Sequence, residues 1–170
     1  MKSKNILLVG GSGFVGSHVA RRLAAEGHRL TVPPRHPERT RHLLVLPTVE
    51  VVETDVHDDA RLAGLVAGKD AVINLVGILH SRYGLPYGPD FARAHVELPK
   101  RLAAACRAAG VRRLIHVSAL NAGVNGPSQY LRSKGQGEAE LRAAGAALDL
   151  TIFRPSVVFG PEDSFLNLFA

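Results

Sequence analysis

Asn5-Ile6-Leu7-Leu8-Val9-Gly10-Gly11-Ser12-Gly13-Phe14-Val15-Gly16 passes from an apolar run into three glycines, Gly10, Gly13 and Gly16, set three residues apart. Beyond them Val15, Val19 and Leu23 recur every four residues, the face of a helix that runs on towards Gly27. The pattern reads as strand, tight glycine turn, helix. A turn without Cβ atoms lets the backbone approach a pyrophosphate, and the helix behind it aims its unpaired N–H groups and positive dipole end at the phosphates. Glycine spacing alone is weak evidence, because 17 of the 170 residues are glycine. The strand before the turn and the amphipathic helix after it give the spacing its meaning. The stretch therefore predicts a bound dinucleotide, with Gly10, Gly13 and Gly16 against it.

Outward from this unit, apolar runs alternate with helical patterns along most of the chain. Strands are predicted near Asn5 to Val9, Arg29 to Val32, Val49 to Glu53, Ala71 to Val76, Arg113 to Val117 and Asp149 to Phe153. Helices are predicted near Gly13 to Glu26, Glu38 to Leu44, Asp59 to Val66, Phe91 to Ala109 and Tyr130 to Ala144. Right-handed crossovers then make an α/β fold, a Rossmann-type doubly wound, mostly parallel sheet of about six strands with helices on both faces. The long Gly- and Pro-rich connection from Gly77 to Pro89 carries His80, Arg82, Tyr83 and Tyr87 to the carboxyl end of the fourth strand, where loops line substrate pockets. One dinucleotide-binding domain is expected over residues 1–160. The apolar segment Ser164 to Ala170 stops without a cap, so residues 161–170 read as the start of a truncated C-terminal substrate region.

Composition bounds the rest. With 46% apolar and 21% charged residues the chain has the make-up of an ordinary globular domain. The basic start Met1-Lys2-Ser3-Lys4 precedes only a short apolar run, neither signal peptide nor membrane span, and the expected location is cytoplasmic. Cys106, the single cysteine, allows no internal disulfide and reads as a small buried hydrophobe. A net charge of +6 raises nucleic acid as a partner, but the 16 arginines are spread over every predicted helix and aromatic residues for base stacking make up only 5% of the chain. No nucleic-acid role is expected. The eight histidines show no close helical pairing with a second metal ligand, and His116, inside a predicted strand, reads as a hydrogen-bonded core residue.

Two groups carry candidate chemistry. Tyr130 and Lys134 are four residues apart at the start of a helix and share a face. An ammonium beside a phenol stabilises the phenolate, so Lys134 is expected to draw the Tyr130 pKa down towards neutrality and make it a general acid or base, while also holding a ribose hydroxyl. The second group follows the second strand, about twenty residues beyond the glycines, where a carboxylate would accept from the 2′-hydroxyl of NAD. Pro33-Pro34-Arg35-His36 offers none, and Arg35 could pair with a 2′-phosphate. NADP is favoured, with NAD the second choice.

Taken together, these motifs resemble the short-chain dehydrogenases/reductases of the extended or atypical type, epimerase/dehydratase-like proteins. Gly10 to Gly16 matches that family's glycine motif, Asp55-Val56 its adenine-contacting pair, and Leu75-Val76-Gly77 the stretch after its fourth strand. Tyr130 and Lys134 match its catalytic pair, and Arg154-Pro155 to Gly160-Pro161 its arginine-proline to glycine-proline segment. Asn74 to His80, His95 to Pro99 and Tyr130 to Gly135 are most similar to the branch that includes the nucleotide-binding accessory subunit of respiratory complex I and its bacterial relatives. The resemblance implies cofactor contacts from Gly10, Gly13, Phe14, Val15, Gly16, Asp55, Val56, Leu75, Val76, Gly77, Lys134 and Pro155, with Arg35 added by the reading above.

The chain also departs from that pattern. Two residues past Ser118, where active members place a Ser or Thr on the substrate oxygen, stands Leu120; His95 replaces the family's active-site asparagine; and the loop to Tyr130 is short. Ser118 or Asn121 is a candidate substitute. Two functions are thus in play: an NAD(P)-dependent oxidoreductase or epimerase/dehydratase acting on an unknown small molecule through Tyr130, Lys134 and Ser118, or a non-catalytic NADPH-binding accessory or assembly module with a protein partner. A homo-oligomer is possible under either.

Overall fold

The structure is a computed structural model that describes residues 2–161 and Asp163. Six strands, β1 (Asn5–Val9), β2 (Arg29–Val32), β3 (Val49–Val51), β4 (Ala71–Asn74), β5 (Arg113–Val117) and β6 (Asp149–Phe153), form one sheet in the order β3-β2-β1-β4-β5-β6. Every neighbouring pair is parallel. That is the doubly wound order expected from the alternation of patterns, with its switch point between β1 and β4.

Alternate residues of each strand feed two cores. Leu7, Val9, Val72 and Leu114 pack with α3 (Asp59–Val66), α5 (Leu98–Ala108) and Leu141 of α6 (Gln129–Ala143). Ile6, Leu8, Leu30, Val32 and Ile73 pack on the other face with Ala20 of α1 (Phe14–Ala25) and Leu43 of α2 (Arg41–Leu44). Because the side-chain period of a strand is two, Asn74 falls on the face of Val72, and His116 on that of Leu114. Polar residues thus occupy the carboxyl end of the first core, under α6.

Four of the expected strands keep their bounds, and the third and fourth each end two residues early. At β4 the cause is local: the Asn74 side chain accepts from the Val76 N–H at 3.1 Å, which turns that residue out of the ladder. The helix expected near Phe91 to Ala109 is a composite of α4 (Pro89–Phe91), a π-helical turn (Ala92–Glu97) and α5. Pro99 has no N–H to give the His95 carbonyl, and wide turns of this kind mark such interruptions. The helix expected near Glu38 to Leu44 is split at Thr40, whose hydroxyl donates to the Pro37 carbonyl at 2.6 Å and closes a separate short turn. The apolar segment Ser164 to Ala170, read as the start of a further region, lies outside the described residues. No helix among the described residues is long and apolar enough to cross a membrane.

Candidate dinucleotide and acid-base site

The glycine turn lies at the switch point. Gly10 has φ +83°, and a Cβ there would stand 3.0 Å from the Leu75 carbonyl carbon and the Val76 nitrogen. At Gly16 a Cβ would overlap the Gly10 carbonyl and the Gly11 backbone. The turn is therefore closed so tightly that only glycine fits, and it abuts Leu75 and Val76. Gly13 caps α1 without a side chain, and the first turn of α1 holds no acidic residue. Its N–H groups keep the open, positive character that an anion needs. These are the features of a pyrophosphate cradle, and the residues fit a dinucleotide. Asp55 and Val56 follow β3, and the Asp55 carboxylate accepts from the His57 N–H at 2.9 Å, which orients it. Arg35 is exposed just beyond β2, with its neighbour His36 3.2 Å from Glu38.

Beyond β4 the chain is held by the π-helical turn. Buried His95 accepts from the Ile78 N–H through Nε2 at 3.0 Å, so its proton is on Nδ1, which donates to Ser133 Oγ at 2.8 Å. Ser133 Oγ in turn donates to the Tyr130 carbonyl at 2.8 Å. A chain of three hydrogen bonds therefore ties the loop after β4 to the first turn of α6. Burial and the nearby Lys134 charge hold the His95 pKa down at about 3, so the ring is neutral. Arg132 adds a second tie, donating to the Pro86 carbonyl at 2.8 Å and the Gly126 carbonyl at 2.9 Å. His80 and Tyr83, expected near a pocket, are exposed on this loop, and Arg82 is spent on a fork to Asp90.

Ser128 caps α6 by accepting from the Leu131 N–H, which starts the helix so that Tyr130 and Lys134 face inward one turn apart. Tyr130 is half-buried, edge-on to His95 at 5.5 Å and to Phe91 at 6.0 Å between ring centroids. Lys134 is only 2% exposed, with Nζ donating to the Val117 carbonyl at 2.7 Å. The structure corrects one expectation here. Burial raises the Tyr130 pKa above its ordinary value, and Lys134 does not draw it down, because its ammonium is directed at the end of β5. Burial lowers Lys134 itself to about 8, against the opposing pull of Glu138.

Behind this pair is a polar layer. Asn74 and His116 are cross-strand partners, and the Asn74 amide donates to His116 Nδ1 at 3.2 Å. His116, the hydrogen-bonded core residue expected from the sequence, is kept neutral by burial, with a pKa near 3. Ser118, a catalytic candidate, is 4% exposed; its hydroxyl is near enough to Glu138 to favour that carboxylate, though it closes no hydrogen bond of good geometry. Glu138 is bound by Arg154 at 2.8 Å and by Arg142 at 3.2 Å. Pro155 follows, and its carbonyl accepts from the Leu120 N–H at 2.8 Å. Leu120, in the place of a hydroxyl donor, is 51% exposed, and Asn121 beside it has φ 63°. Cys106 is fully buried and its thiol is pushed up to about 12, the state of an inert hydrophobe.

The sequence reading missed Glu138, Ser133 and Arg132. Glu138 had a signal, since it is the third member of a series at four-residue spacing after Tyr130 and Lys134. Arg132 reaches the Pro86 carbonyl and Ser133 accepts from the His95 ring, contacts with distant segments that no spacing reveals.

Comparison with known proteins agrees with this geometry. The NAD(P)H-binding family profile matches residues 10–163, and the chain belongs to that family. It is 38% identical over 165 residues to the mitochondrial NADH dehydrogenase [ubiquinone] 1 alpha subcomplex subunit 9 of Rattus norvegicus, covering 95% of this chain and 42% of that protein. It is 34% identical over 163 residues to the ceramide reductase of Caulobacter vibrioides, covering 94% of this chain and 48% of the reductase. The chain thus spans less than half the length of these relatives. Among solved structures, UDP-glucuronic acid 4-epimerase from Bacillus cereus in complex with NAD superposes with a TM-score of 0.80 at 19% identity, over 94% of this chain and 59% of the epimerase, a likeness of fold.

Proposed function

We propose that the chain is the dinucleotide-binding unit of an NAD(P)-dependent oxidoreductase in which Tyr130 exchanges a proton with a substrate oxygen and Lys134 holds the nicotinamide ribose. The observation that carries this reading is Lys134: an ionisable amine 2% exposed, at the carboxyl edge of β5, one turn from a half-buried phenol. Burying an ammonium is costly, and a surface helix has no use for one. The nicotinamide, when bound, supplies or accepts the hydride. The chain's own part is to seat the pyrophosphate on Gly10 to Gly16, keep water from the phenol with Phe91 and His95, and present the Tyr130 hydroxyl. Arg35, with no carboxylate beside it at the end of β2, supports NADP over NAD as the preferred form. Ser118 and Asn121 remain the polar side chains nearest in sequence to Leu120, and Ser118 is the proposed helper of Tyr130. A cytoplasmic location and an unidentified small-molecule substrate complete the reading.

Leu120 supports a second reading. With an exposed leucine in the place of the substrate donor, the dinucleotide would stabilise an accessory module that docks to a protein partner, a reading supported by the rat relative's being a subunit of NADH dehydrogenase.

The test compares wild type and Tyr130→Phe for NADPH and NADH affinity and for turnover of ketone and nucleotide-sugar substrates. Loss of the acid should lower turnover by about 10²–10⁴-fold and leave cofactor affinity within about twofold. Turnover that ignores the substitution would overturn the catalytic role, and tight binding without turnover in wild type would select the accessory module.

A further inference from the structure

Glu138 is a buried carboxylate outside any motif that binds the cofactor, and its surroundings are unusual. Its side chain is 3% exposed, yet it meets two guanidinium groups: Arg154 donates to it through Nε at 2.8 Å and through Nη2, and Arg142 through Nη2 at 3.2 Å. It stands four residues beyond Lys134 and eight beyond Tyr130, so the three side chains fall along one side of α6. A buried ion pair is weak as a source of stability, since well-packed apolar residues often serve as well, and its presence calls for another role.

The groups around Lys134 show what that role is. Tyr130 and Glu138 come from its own helix, His116 and Ser118 from the end of β5, His95 from the π-helical turn, and Arg142 and Arg154 gather on Glu138. Both histidines are neutral by burial, and tyrosine and serine carry no charge at neutral pH. Among the described residues Glu138 is the one anion that acts on the ammonium, opposing the burial that drives it neutral. Its two arginines prevent it from taking up a proton in its own right: burial favours the acid form, but the hydrogen bonds from Arg154 and Arg142 and the nearby Ser118 hydroxyl outweigh this and hold its pKa below the usual value.

The same carboxylate is a strut. Arg154 immediately follows β6, and the next residue, Pro155, accepts from the Leu120 N–H. Further along, Gly160 comes close to the Phe14 ring at the start of α1, where a Cβ would be 3.6 Å from it. The Glu138 fork therefore fastens to α6 the segment that runs from the nicotinamide end of the cleft to the glycine turn.

We propose that Glu138 is a positioning residue for the dinucleotide site, acting through Lys134 as its counter-charge and through Arg154 as the anchor of residues 154–161. This rests on the reading that Lys134 serves the nicotinamide ribose, and the experiment separates the two. Glu138→Gln keeps the shape and removes the charge. NMR titration of the lysine ammonium groups, with Lys134 assigned by K134R, reads the counter-charge without any cofactor; E138Q should move the Lys134 midpoint down by about one pH unit or more. NADPH and NADH affinities measured across pH 6 to 9 then read the site: wild type should weaken as pH passes about 8, and E138Q should weaken from a correspondingly lower pH, with roughly tenfold poorer binding at pH 8. R154K, which keeps the charge and loses the fork, should speed hydrogen exchange in residues 154–161 without moving the Lys134 midpoint comparably. If E138Q does not fold, E138D withdraws the carboxylate by one methylene and should shift the same midpoint in the same direction. An unchanged Lys134 midpoint in the carboxylate variant would overturn the role of Glu138. A shifted midpoint with cofactor affinity indifferent to pH, and K134M binding as well as wild type, would uphold Glu138 as the counter-charge and overturn the ribose role of Lys134.

Discussion

Tyr130 and Lys134 are perturbed by the same cause, burial, which favours the neutral form of each. Burial therefore keeps the Tyr130 phenol protonated at neutral pH, and any proton it exchanges starts on its own oxygen. Just beyond β2, Arg35 is an exposed cation, and the proposed preference for NADP rests on it. A charge-assisted contact to a 2′-phosphate would be lost in Arg35→Ala, which should weaken NADPH by at least about tenfold and leave NADH nearly unchanged, as calorimetry with both nucleotides would read. Equal losses for the two would sink the assignment to NADP.

Among the elements, the composite helix α4, π-helical turn and α5 matters most, because it delivers His95 to the Ile78 N–H and Ser133. Its wide turn leaves the His95 carbonyl facing α6, where a Cβ on Gly137 would collide with it. Gly137→Ala must therefore push the two helices apart, and overpacking of this kind costs about 1–3 kcal/mol. Urea unfolding should show that loss, and the loop after β4, whose Ile78 N–H depends on His95, should exchange its amide hydrogens faster. A substitution as mild as wild type in unfolding would mean that α6 has slack that the packing does not show. Gly16→Ala, whose Cβ would overlap the Gly10 carbonyl, should abolish dinucleotide binding along with the turn.

For the whole molecule, the buried histidines make stability depend on pH. His95 and His116 titrate near 6.5 when exposed and near 3 in the fold. Between those values the unfolded chain takes up protons that the folded chain refuses, so stability falls as pH falls from 6.5 towards 3, by up to about 1.4 kcal/mol per pH unit for each histidine. Lys134 acts in another window: its folded value near 8 lies below the unfolded 10.5, and its burial penalty fades as pH rises from 8 to 10.5. Urea midpoints should therefore drop steeply below pH 6.5. A His95→Asn, His116→Asn double variant should show a shallower slope from pH 6 to 4; an unchanged slope would place the acid sensitivity in the carboxylates instead.

The doubly wound parallel sheet, the glycine turn and the one-turn spacing of Tyr130 and Lys134 were legible in the sequence because each rests on local rules. Strand alternation has a period of two, helix faces repeat near every four residues, and a phosphate-binding turn needs glycines at fixed spacing. Even the shortened fourth strand and the π-helical turn follow from neighbours in sequence, Asn74 with Val76 and His95 with Pro99. What lay beyond reach was set by contacts between distant segments. Burial, rather than the neighbouring ammonium, governs Tyr130, since Lys134 turns to the Val117 carbonyl seventeen residues away. Arg154 finds Glu138 across sixteen residues, and His95 finds Ser133 across thirty-eight. Electrostatic shifts depend on depth and on the partners that folding brings together, and those are properties of the packed chain alone.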